Sequence, residues 1–92
     1  MSDRARIEEV LAYLGIEDRE LLDELRREGL FEADELDPDA AEELRVATCL
    51  IRDMGVNPAG VEVVLHMRRR LIFLQDRVRV SLARLLDELD RS

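Results

Sequence analysis

The chain has 92 residues, enough for one small domain and too few for two. Its 4 glycines and 2 prolines are too scarce for a protein of short strands and tight turns, which argues against an all-β sandwich or barrel. Charged residues reach 39%, far above ordinary globular usage, and favour helices with solvated faces. The net charge of −8 is unevenly placed: residues 1–46 carry 16 acids against 6 arginines, whereas residues 47–92 carry 6 acids against 8 arginines. The first half should therefore repel phosphates, because DNA affinity depends on cations that displace condensed counterions. The opening MSDRARIEEV has no apolar core of a signal peptide, so no secretory signal is expected. With one cysteine no internal disulfide is available, and a reducing, cytoplasmic setting is the simple expectation. No apolar run approaches the roughly 18–20 residues that span a bilayer, so no membrane association is expected.

Four helices follow from apolar spacing and stop signals. The first is expected over Asp3 to Leu14, where Ile7, Val10, Leu11 and Leu14 form one stripe and Gly15 supplies the stop. The second is expected over Asp18 to Glu28, with Leu21, Leu22 and Leu25 inward and Gly29 closing it. The connection Leu30 to Asp37 (LFEADELD) is too short to hold two strands and a turn of any length. Asp37 caps the third helix, Pro38 suits its first position, and Asp39 favours its positive end. Its main stripe is Ala40, Leu44, Ala47, Ile51 and Met54. Val46, Cys49 and Leu50 add a second flank, so this helix should lie between neighbours.

Gly55 ends the third helix, and Asn57-Pro58 repeats the cap-plus-proline start. The fourth helix then runs from Pro58 to about Asp90 without a breaker, roughly 50 Å at ~1.5 Å per residue. Its seam reads Val64, Met67, Leu71, Leu74, Val78, Leu82, Leu85 and Leu89, a heptad rhythm with one stutter. The first three helices can cover only its beginning, so a homodimer through about residues 64–89 is expected. The whole reads as one all-α domain: residues 1–36 a degenerate helix-turn-helix, 37–55 a linking helix, and 56–92 a long dimerising helix.

Ile7 to Phe31 resembles the opening helix-turn-helix of MerR-type regulators, through Gly15-Ile16-Glu17, Leu21 and Gly29-Leu30-Phe31. The segment LDPDAAEELRVATCLIRDMGVNPAGVEVVL looks like the part that follows the wing in those proteins. Leu50 to Leu74 is closer to the chaperone-modulator family CbpM, in which a step matched by Val56-Asn57-Pro58-Ala59-Gly60-Val61 opens a long C-terminal helix. MerR proteins read DNA with a basic, aromatic second helix and a β-hairpin wing. Here Leu22-Asp23-Glu24 follows Leu21, the two glycines stand one residue further apart, and the wing segment has four acids and no arginine. Carboxylates in place of cations reverse the sign of the phosphate interaction. The scaffold is thus expected without its DNA-reading surface, and DNA is not the expected partner.

The CbpM resemblance implies a protein that binds the J-domain of a DnaJ-like co-chaperone and blocks its Hsp70-binding surface. The second helix of a J-domain is typically basic, and an acidic face suits it. The residues expected to meet it are Asp18, Glu20, Asp23, Glu24, Arg27 and Glu28 on the second helix, with Glu32 and Asp34 in the connection. The bland alternative is that these charges only solvate an exposed helix. A second functional expectation is a MerR-type transcriptional regulator, for which only Arg19, Arg26 and Arg27 are available on the second helix.

The remaining candidates are weaker. Arg68-Arg69-Arg70 point in different directions around a helix, so pairing with acids is expected rather than one nucleic-acid strip. His66 and Glu62 have a spacing that suits two metal ligands, but no third is apparent and no metal or other cofactor is expected. His66 should instead be a partly buried or interfacial ring. Cys49 should be a packed free thiol. Tyr13, Phe31 and Phe73 are too few for a base-stacking platform, GVNPAG is no phosphate loop, and nothing marks a catalytic pair, so no enzyme is expected.

Overall fold

The structure is a computed structural model that describes residues 3–91; the ends of the expected first and last segments, residues 1, 2 and 92, lie outside the described residues. The order is β1 (Ala5–Arg6), α1 (Ile7–Tyr13), α2 (Arg19–Arg27), β2 (Glu35–Leu36), α3 (Pro38–Met54) and α4 (Pro58–Arg91). It is an all-α fold with a small two-stranded sheet and a long C-terminal helix.

Local chemistry explains most boundaries. Asp18 caps α2 by accepting from the Glu20 N–H at 2.9 Å, and Asp37 caps α3 by accepting from the Ala40 N–H at 2.8 Å. Asn57 does the same for α4, accepting from the Gly60 N–H at 2.7 Å. Gly15, Gly29 and Gly55 all take positive φ where the chain leaves a helix. At Gly29 this conformation lets the Leu30 N–H turn back to the Leu25 carbonyl at 3.0 Å, which delivers the buried Leu30 to the core.

The start of α1 is a correction. Residues 5–6 are extended and pair antiparallel with residues 35–36, Ala5 opposite Leu36 and Arg6 opposite Glu35. The Ile7 N–H continues the tie by donating to the Asp34 carbonyl at 2.8 Å. Hydrogen bonds between distant segments thus override the local helical preference of Ala5 and Arg6. The connection holds one strand only, as its length requires, and takes its partner from upstream.

The core joins Ile7 and Leu11 of α1, Leu21, Leu22 and Leu25 of α2, Leu44 and Ala47 of α3, and Val61 and Leu65 of α4, closed by Ile16, Leu30 and Leu36. Val46 and Leu50 pack against it from α3, but Cys49 and Met54 do not: both are exposed, Met54 at 69%. The second flank of α3 is therefore only partly covered, at Val46 and Leu50 and not at Cys49, and the main stripe stops short of its expected end, because Met54, one residue before the turn at Gly55, reaches past the core.

From Arg69 to Arg91 every residue of α4 is exposed. We call residues 5–65 the head and this projecting length the arm. Arg69 braces the junction: its guanidinium donates to the Glu43 carboxylate on α3 at 2.6 Å, and this bond holds its pKa above the ordinary arginine value. The expected pairing of the arginine run with acids of the first half is thus met at Arg69.

Candidate interaction surface

The outward side of α2 is fixed by its inward side. Leu21, Leu22 and Leu25 enter the core, so Glu20, Asp23, Glu24 and Arg27, at the complementary helical positions, turn away from it. Glu20, Asp23 and Arg27 are exposed and Glu24 is half-buried. Asp18 and Glu28, at the two ends of α2, are exposed as well, as are Glu32 and Asp34 in the connection.

These residues do not form one pocket. Asp18 lines a small groove of about 160 Å³ with Glu8 and Glu17, between α1 and the start of α2. Glu24, Arg27 and Glu28 line another of about 360 Å³ against Asn57, Pro58 and Ala59 at the start of α4. Glu20 and Asp23 line neither. The surface is an exposed, predominantly acidic ridge with a shallow groove at each end.

One residue has a role that sequence reasoning missed. Arg26 was expected to be available for a basic strip on α2. Its Nε instead donates to the Phe31 carbonyl at 2.8 Å and its Nη2 to the Ala33 carbonyl at 3.4 Å, with the Asp34 carboxylate 3.7 Å away. The bond to Phe31 matters because Phe31 has φ of 54°, a conformation that costs a non-glycine residue free energy. Arg26 therefore staples the connection to α2, and Asp34 is partly engaged by the same guanidinium. Of the three arginines on α2, Arg19 and Arg27 alone face outward.

The other single candidates resolve plainly. Cys49 is exposed, and its thiol donates to the Asp53 carboxylate at 3.2 Å; that bond favours the protonated sulfur and raises its pKa. His66 is exposed and lies beside Arg69, Arg70 and Phe73 along a groove on α4. Among the described residues no group of three or more His, Cys, Asp or Glu is placed to hold a metal ion. None of the helices they form is long and apolar enough to cross a membrane.

An open apolar groove lies on α4. Val64, Met67, Leu71 and Leu74 floor a groove of about 590 Å³, with Arg68 and Arg70 on its rim. Beyond it the seam continues along the arm: Met67, Leu71, Leu74, Val78, Leu82, Leu85 and Leu89 are each 51–63% exposed, and Val64 is half-buried. Compared with known proteins, the chain matches no family model, no curated protein and no solved structure.

Proposed function

We propose that this chain is a chaperone modulator that binds the J-domain of a DnaJ-like co-chaperone and occludes the basic helix that Hsp70 uses. The observation that carries the reading is the outward side of α2, where Glu20, Asp23 and Glu24 stand free of the core while Arg26 is turned back onto the connection. A nucleic-acid reader needs cations at those positions. A basic helix is favoured there by complementary charge, which speeds encounter and rejects acidic competitors. The resemblance of Leu50 to Leu74 to CbpM chaperone modulators supports the same partner. The mechanism is steric and electrostatic masking, with no bond made or broken. The exposed seam of α4 is, in this reading, the homodimer interface, because seven apolar residues in a heptad rhythm gain most by facing another helix.

The test is titration of the protein into a labelled J-domain at low and at high salt. Binding at low salt that weakens as salt screens the acids is expected. Absence of binding at low salt would overturn the proposal, and retention on heparin at moderate salt would favour a DNA-binding regulator in its place.

A further inference from the structure

The run Arg68-Arg69-Arg70 scatters around α4, but one member of it belongs to a longer strip. His66, Arg70, Phe73, Arg77 and Arg84 follow one another at intervals of 4, 3, 4 and 7 residues. At about 3.6 residues per turn these intervals set all five on one narrow side of the helix. All five are exposed, and the first four line a single groove of about 470 Å³. The strip spans 18 residues, about 27 Å at ~1.5 Å per residue.

Its cations are uncommitted. Arg69, on the flank of the strip, is held by Glu43, and Arg91, beyond its end, is held by Asp87. Among the described residues Arg70, Arg77 and Arg84 make no ion pair. Arg77 instead lies over Phe73, its guanidinium carbon 5.8 Å from the ring centroid. That stacking orders the planar fork in advance, so less freedom is lost when it takes up an acceptor. Glu62 and Glu88 bracket the strip on the same side of the helix. Asp76 stands about a quarter-turn away and lines a different groove, with Asp39, Glu42 and Glu43 of the head. The apolar seam centres a little over a quarter-turn to the other side, so Arg77 and Arg84 stay open whether or not that seam is covered.

We infer that this side of α4 is a second docking strip, opposite in sign to the α2 ridge, whose occupant is a helical segment of a partner protein with acidic residues every three to four positions. Arg70, Phe73 and Arg77 keep the rhythm of one helix side, so a facing helix with glutamates in the same rhythm meets a guanidinium turn after turn. Guanidinium forks take carboxylates through paired hydrogen bonds, and the exposed Phe73 ring adds an apolar contact between them. Nucleic acid fits less well: its affinity grows with the number of phosphates neutralised, and only three arginines stand between Glu62 and Glu88 on this side. One aromatic ring is no stacking run. The chain's net charge of −8 does not cancel the strip. Arg84 lies 19 residues past Leu65, about 28 Å along the helix, against a screening length of ~10 Å in ~0.1 M salt. The inference stands apart from the J-domain reading, which places a basic partner on α2.

A labelled alanine peptide with glutamates at alternating intervals of three and four residues is the probe. It is titrated with the whole chain in about 0.1 M salt and followed by fluorescence anisotropy. Saturable binding is expected. Arg77→Glu should weaken it about tenfold, whereas Arg79→Glu, the same charge change on the far side of the helix, should alter it less than about twofold. Phe73→Ala, which removes the ring under Arg77 and no charge, should weaken it about threefold. All three positions are exposed, so the helical circular dichroism should be unchanged. No saturable binding, or equal losses from Arg77→Glu and Arg79→Glu, would overturn the inference. Tighter binding of a labelled oligothymidylate of equal charge, lost in Arg77→Glu, would also overturn it and give the strip to nucleic acid.

Discussion

The head and the arm share one long helix, yet they solve the burial of apolar residues differently. In the head Val61 and Leu65 of α4 are fully buried by α2 and α3; a few residues on, Leu71 and Leu74 stay more than half exposed. The stripe on α4 does not weaken at this boundary. What changes is the supply of neighbours, because α1, α2 and α3 are too short to follow a helix that spans most of the 59 Å length of the molecule. Burial is therefore a property of what lies opposite a stripe, and a stripe that outruns its own core stays exposed in the single chain.

Substitutions sharpen this division, beginning with the largest effect. Leu44 is fully buried at the centre of the head, so Leu44→Ala should destabilise the fold by about 4 kcal/mol in urea or thermal unfolding. Leu82→Ala on the arm should leave the head's transition almost unmoved; equal losses would erase the division. Leu85→Asp should weaken dimerisation by about 3 kcal/mol, roughly a hundredfold, in sedimentation while the helical circular dichroism of the head persists. Arg26→Ala should cost about 1–2 kcal/mol, through the lost charged hydrogen bonds to the connection. It should also raise hydrogen exchange at Phe31 to Leu36. Asp37→Ala, which removes the cap of α3, should cost about 1 kcal/mol.

The smallest expected effect is chemical. The bond from the Cys49 thiol to Asp53 favours the protonated sulfur, so alkylation by iodoacetamide should reach its full rate at higher pH than for a free cysteine. Asp53→Asn should shift that profile back towards lower pH. An unchanged profile would show that the bond does not govern the thiol in solution.

The sequence was most legible where structure is set within a few residues. Asp37-Pro38 and Asn57-Pro58 mark the starts of α3 and α4, and Gly15, Gly29 and Gly55 mark exits, because caps and left-handed turns need only local atoms. The sheet was not legible. Ala5–Arg6 and Glu35–Leu36 have no alternating apolar pattern, and what makes them strands is each other, some thirty residues apart. The role of Arg26 was hidden for a similar reason, since it depends on the Gly29 turn delivering the Phe31 carbonyl to its Nε. Cys49 fits the second apolar flank and Met54 the main stripe in one dimension, but the core covers only their neighbours Val46, Leu50 and Ile51.

For the candidate surface, the outward acids of α2 follow from the three leucines opposite them. Their division between two grooves does not, because Asn57-Pro58-Ala59 approaches Glu24 and Glu28 only through the packing of α4 on α2.

The central claim is that the acids of the head, rather than those of the arm, meet a basic partner. Titration of a labelled J-domain with two charge-reversed variants tests it most directly. Asp23→Arg with Glu24→Arg should weaken binding at low salt at least about tenfold, an effect of ~1.4 kcal/mol, while Asp87→Arg with Glu88→Arg leaves it near that of the unaltered chain. Equal losses, or a loss confined to the arm variant, would contradict the account.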